Sequence, residues 1–75
     1  MSDTEAAWEA VREALERLPG WEATPPHWHP EERLWAATAF CKGDIHRFER
    51  CAAVQSRGMT EAEALWELAE ALRTR

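Results

Sequence analysis

The residues best equipped for chemistry lie in the middle of the chain. His27-Trp28-His29 sets two imidazoles two residues apart, and Cys41, His46 and Cys51 follow. Imidazole nitrogens and thiolates are the usual ligands of zinc. Their spacing fits no standard finger, because neither Cys-x-x-Cys nor His-x-x-x-His occurs. A cysteine near His46 would be a nucleophile with its base, but the sequence supplies neither an orienting acid nor an oxyanion site. Nor does it hold a Gly-rich phosphate loop, a carboxylate pair for acid–base work or a triad in order. The expectation is a non-enzymatic protein with no catalytic residue, no metal and no cofactor. His27 and His29 then belong to a polar loop, and the cysteines are free thiols in a reducing, cytoplasmic setting.

What remains is the chemistry of contact. Five tryptophans in 75 residues is a high count. Trp8 and Trp66 fall at the edges of helical apolar stripes, where they would seal a core. Trp28 lies between two histidines in a proline-bounded stretch and is the best placed for exposed contact, since aromatic side chains dominate interface energetics. Trp35 follows Leu34, so one of the two faces away from the core. Charge is also unevenly spread. The net charge is −5. Residues 1–18 and 59–75 are both acidic, while 19–58 balance five acids against five bases. Such a balance argues against direct nucleic-acid binding, which needs cations to neutralise phosphates. The candidate partner-binding residues are Trp28, Trp35 and Arg47 of the middle region, with Glu9, Glu13, Glu16, Glu63 and Glu67 of the two ends.

Two helices must carry those carboxylates. Residues 3–18 show Ala7, Val11, Ala14, Leu15 and Leu18 at helical spacing behind a Ser2/Glu5 capping pattern, and Pro19-Gly20 stops them. Residues 59–73 repeat the design with Thr60/Glu63 and Ala62, Leu65, Leu68, Ala69 and Leu72. Residues 21–56 read as a β-meander. A short strand covers 21–24, and a loop over 25–32 contains Pro25, Pro26 and Pro30. A strand over 33–40 sets Leu34, Ala36, Thr38 and Phe40 opposite Trp35, Ala37 and Ala39. Lys42-Gly43-Asp44 turns the chain into a return over 45–55, so that Cys41 faces Ile45 and Cys51 faces Trp35. The fold class is therefore α+β: one α-β-β-β-α domain over 1–75, a three-stranded antiparallel meander with one face packed on two helices and the other open. The alternative is a small all-α bundle of three or four helices, because Ala favours helix as strongly as Trp, Phe and Ile favour strand. The longest apolar run, 35–41, is far short of the about 20 residues of a membrane span. The acidic start, Met1-Ser2-Asp3-Thr4-Glu5, does not read as a signal peptide.

Several pieces carry a resemblance: Glu5-Ala6-Ala7-Trp8-Glu9-Ala10-Val11, Gly20-Trp21-Glu22, Leu34-Trp35-Ala36-Ala37 and Gly58-Met59-Thr60-Glu61-Ala62-Glu63-Ala64-Leu65. In this order they resemble small phage and prophage proteins with α-β-β-β-α sandwich domains, and the last resembles the strand-to-helix junction of HicB-type antitoxins. The phage resemblance implies a stoichiometric inhibitor of a host protein complex, of the anti-CRISPR kind, with a basic nucleic-acid-handling target suited to the acidic charge. The HicB resemblance implies an antitoxin or regulatory partner that dimerises. Homodimerisation through an edge strand such as 21–24 is open on either reading. Double-stranded-RNA-binding domains share the element order, but Glu61, Glu63 and Glu67 stand where that family needs a basic cluster.

Overall fold

The computed structural model describes residues 2–41 and 53–75. The first helix, α1 (Asp3–Glu16), starts where the sequence offers its cap: the Ser2 hydroxyl oxygen accepts a hydrogen bond from the Glu5 amide at 3.2 Å. It ends two residues earlier than its apolar spacing suggests, because Leu18 already belongs to a turn. The Trp21 amide donates to the Leu18 carbonyl at 3.1 Å, and Gly20 takes φ +85°. Leu-Pro-Gly-Trp is the sequence of a type II turn, with proline at its second position and a left-handed glycine at its third.

Four strand segments follow: β1 (Trp21–Ala23), β2 (His27–His29), β3 (Leu34–Cys41) and β4 (Ala53–Gly58). All pair antiparallel with β3, β1 and β2 end to end along one edge and β4 along the other. This is a three-stranded meander whose first strand is broken in two. Ala23 faces Ala39 and His27 faces Ala36, so residues 24–26 span the two residues 37 and 38. Both the amide and the hydroxyl of Thr24 donate to the Thr38 carbonyl. The extra residue is thus taken up by Pro25-Pro26 opposite Ala37, a bulge where two missing N–H groups cost the ladder nothing. The loop expected over 25–32 is interrupted by a strand. Its first half is bulge and strand, and only 30–33 connect β2 to β3. That connection closes when the Arg33 amide donates to the His29 carbonyl at 2.8 Å, with Arg33 at φ +56°.

The register of the last strand also differs from expectation. Trp35 faces Gly58 and Phe40 faces Ala53, seven residues further along than a tight turn at 42–44 implies. That turn, and the expected strand positions 45–52, lie outside the described residues.

The second helix, α2 (Glu61–Arg73), begins after Thr60, whose hydroxyl oxygen accepts from the Glu63 amide at 3.0 Å. Its N-cap Thr60 is extended (φ −132°, ψ 163°), so the helix starts two residues later than the expected 59. α2 lies across β3 and β4, and α1 packs against α2 and touches β1. The interior is built largely of alanine: Ala7, Ala10, Ala14, Ala37, Ala39, Ala64 and Ala69 surround Val11, Leu65, Leu68 and Leu72. Small side chains let the layers approach closely. Burial of each leucine contributes about 1.5–3 kcal/mol. The larger residues Trp8, Leu15, Leu18, Trp21, Trp35 and Val54 ring this interior, half-buried. No described helix is long and apolar enough to cross a membrane.

Strand alternation decides which residues face the helices. Trp35, Ala37 and Ala39 of β3, Val54, Ser56 and Gly58 of β4, and Trp21, Ala23 and Trp28 of the broken strand share the helix side. Leu34, Ala36, Thr38 and Phe40, with Gln55 and Arg57, point the other way, and no described helix covers them.

Candidate functional site

The potential zinc ligands do not converge. His27 and His29 face Ala36 and Leu34, while Cys41 ends β3 on the opposite side of the sheet. Five residues of strand separate Ala36 from Cys41, roughly 17 Å at the usual rise. Among the described residues no group of three or more His, Cys, Asp or Glu side chains is arranged to hold a metal ion. His46 and Cys51 lie outside the described residues.

The tryptophans sort by position. Trp8, Trp21 and Trp35 pack on the core, and Trp35 rather than Leu34 is the member of its pair that faces the helices. Trp8 has the Arg12 guanidinium one helical turn away at 6.0 Å, and Trp21 has Arg75 over its ring at 4.8 Å. Trp66 is 44% exposed, although its place at the edge of the stripe suggests a sealing role. Trp28 is 48% exposed. It sits on a strand rather than in the expected loop, directly opposite Trp35, with ring centroids 5.6 Å apart and planes tilted by 56°. A tilted pair of this kind fixes the exposed ring at about 0.5–1.5 kcal/mol beyond burial.

Trp28, Trp35 and Gly58 form one row across three strands. Gly58 is obligatory in it. A Cβ there would lie 2.5 Å from the Ala64 nitrogen and 2.9 Å from the Glu63 Cβ. The absent side chain lets the first turn of α2 sit directly on the end of β4. Glu63 therefore lies against the Gly58 end of the row, and Trp28 at its other end is two strand spacings from Gly58, roughly 10 Å. This end of the sheet is where an exposed aromatic meets the acidic helix layer. Met59, 71% exposed, is the next residue in the chain.

The remaining carboxylates are arranged in rows. Glu5, Glu9 and Glu13 on α1, and Glu63 and Glu67 on α2, recur every four residues and are all exposed. Glu16 and Glu70 extend the two rows. Successive members rise about 6 Å along the axis. The ion pairs among the described residues are Arg57–Glu32 at 3.4 Å and Arg73–Glu70 at 3.6 Å, both solvent-exposed. Neither involves Glu9, Glu13, Glu16, Glu63 or Glu67. Arg47, the basic member of the expected site, lies outside the described residues. The row that links Trp28 through Trp35 to Gly58 and the start of α2 was not foreseen, because it depends on β4 register and on Gly58.

No protein-family model, curated protein or solved structure matches this chain.

Proposed function

We propose that this protein is a non-enzymatic, acidic binding protein that blocks a basic nucleic-acid-handling complex by stoichiometric docking, in the manner of phage-encoded inhibitors. The observation that carries this reading is the stacking of like charge on both helices. Glu5/Glu9, Glu9/Glu13 and Glu63/Glu67 are each separated by four residues, and every such pair costs an isolated helix about 0.2–0.5 kcal/mol. Opposite-charge spacings also occur on α1, Arg12/Glu16 and Glu13/Arg17, so the like-charge stacking is confined to Glu5–Glu9–Glu13 and Glu63–Glu67. Rows of carboxylates instead compete with phosphates for a cationic groove and speed the encounter with it. Trp28, held against Trp35 and exposed, supplies the aromatic anchor that charge alone lacks.

The element order favours one other reading, an RNA-binding module of the double-stranded-RNA-binding topology. Glu61, Glu63 and Glu67 at the start of α2 would repel phosphates there.

The test is affinity capture from host lysate with three proteins: wild type, Trp28→Ala, and a Glu9→Lys/Glu13→Lys/Glu63→Lys/Glu67→Lys variant. The captured complex is then titrated with its own nucleic acid. The expected result is one basic complex whose nucleic-acid binding falls to zero at a one-to-one ratio, with both variants inactive. A small toxin in the eluate would replace this reading with the antitoxin one. RNA without protein would replace it with the RNA-binding one.

A further inference from the structure

The two edges of the sheet are not equivalent. One edge is β1 and β2, each three residues long and separated by the Pro25-Pro26 bulge. Short segments, proline and a bulge are the devices that stop an edge from recruiting another strand. The other edge is β4, six residues in unbroken register with β3, with neither proline nor bulge. Among the described residues β4 pairs with β3 alone, so every second backbone N–H and C=O along its outer side has no strand partner.

From this asymmetry we infer that the protein forms a symmetric dimer in which β4 pairs antiparallel with β4 of a second copy, joining two sheets into one. Three observations favour a second copy as the occupant. First, charge: β4 is the least acidic strip of an acidic molecule. Ala53, Val54, Gln55, Ser56 and Gly58 are uncharged, and its one charge, Arg57, is already balanced by Glu32.

Second, the strand is self-complementary. A two-fold axis perpendicular to the sheet keeps both helix layers on one side and allows only registers in which a residue faces its own counterpart. Centring on Gln55 sets Val54 against Ser56 and Ala53 against Arg57. Centring on Ser56 sets Gln55 against Arg57 and Val54 against Gly58. Neither register opposes like charges.

Third, the layer above fits. Arg73 shares a hollow with Glu13, Ala14 and Arg17, so that flank of α2 faces α1. The opposite flank carries Glu67, exposed, and Ala71, half-buried. Strands lie about 4.8 Å apart, so a helix riding the β3–β4 seam comes roughly 10 Å from its copy, the spacing at which helices pack. The small Ala71 permits that approach, and Glu67 opposes it with like charge.

The dimer would double the acidic surface on one side of the sheet, but it does not depend on the proposed function. Its test is sedimentation equilibrium of the purified protein alone, from about 10 μM to 1 mM to suit a small interface. The wild type is expected to dimerise, more tightly as salt screens the net charge. Gln55, exposed on the helix-free side, is the informative position. Gln55→Lys creates two like-charge pairs, with Arg57, if the axis passes through Ser56 and one, with its own counterpart, if it passes through Gln55, and should weaken the dimer by roughly tenfold in the first case and a few-fold in the second. Gln55→Glu should tighten it if the axis passes through Ser56 and weaken it if the axis passes through Gln55. Circular dichroism of each variant keeps unfolding separate from dissociation. A wild type that stays monomeric throughout, or a dimer indifferent to both substitutions at Gln55, would overturn the inference.

Discussion

Gly58 has no room for a side chain. Its missing Cβ is the space occupied by the backbone of Glu63 and Ala64, and backbone in a capped helical turn does not move aside as a flexible side chain does. Gly58→Ala should therefore cost about 3 kcal/mol, the upper range for overpacking. Chemical denaturation measures this directly, and a loss below about 1 kcal/mol would show that the start of α2 shifts freely. Arg33 is the converse case. It holds φ +56° at the end of the 30–33 connection, a conformation that costs an L-residue about 1–2 kcal/mol. Its side chain is exposed and forms no ion pair among the described residues. Arg33→Gly removes the strain and gives back part of the gain as chain entropy, so the variant should be more stable by about 0.5–1 kcal/mol. A thermal melt that fails to rise would mean that Arg33 makes a contact worth as much as its strain.

At the scale of elements, the helices were legible and the strand pairing was not. Both helix starts follow from a hydroxyl three residues before a glutamate, and both caps form as that pattern requires. Thr60→Ala should cost about 1 kcal/mol, because the Glu63 amide loses its acceptor. Thr60→Asp should restore most of it, and equal melting temperatures for all three proteins would show that the cap is dispensable. Alternation in residues 34–41 revealed β3 and its two faces for the same reason: the signal is local and has the period of the element. The strand at His27–His29 was hidden because Pro25, Pro26 and Pro30 read as loop. Proline is barred from a regular ladder but not from a bulge, and the bulge becomes visible only once β3 is paired. The register of β4 was hidden for a different reason. Lys42-Gly43-Asp44 is a local turn signal. The pairing of Trp35 with Gly58 is instead tied to the packing of α2 on the strand end, where glycine is the residue that fits. For the candidate site, exposure of Trp28 and of the five glutamates could be read from pattern. The row that runs from Trp28 through Trp35 to Gly58 could not.

For the whole molecule, the balance of charge couples stability to the proposed role. With a net charge of −5, and with the recorded ion pairs exposed and each worth at most about 1 kcal/mol, unscreened repulsion among the helix carboxylates opposes folding. The stacked glutamates make this a local as well as a global cost. Glu9→Gln, Glu13→Gln, Glu63→Gln and Glu67→Gln together remove all three four-residue repulsions without changing side-chain length. Each position is exposed, so no core contact is lost. The loss of the Glu13/Arg17 spacing and of the Glu63 charge in the first turn of α2 offsets part of this, so the fourfold variant should be more stable than the wild type at low salt by at most about 0.5 kcal/mol. That difference should shrink as ionic strength brings the screening length to about 10 Å or less. Thermal melts at several salt concentrations read both quantities. The same variant should lose capture of the basic partner. Stability that rises while binding falls would mean that the acidic rows are held against the interest of the fold. Stability that stays flat would make them an ordinary solvated surface and shift the case for docking onto Trp28 alone.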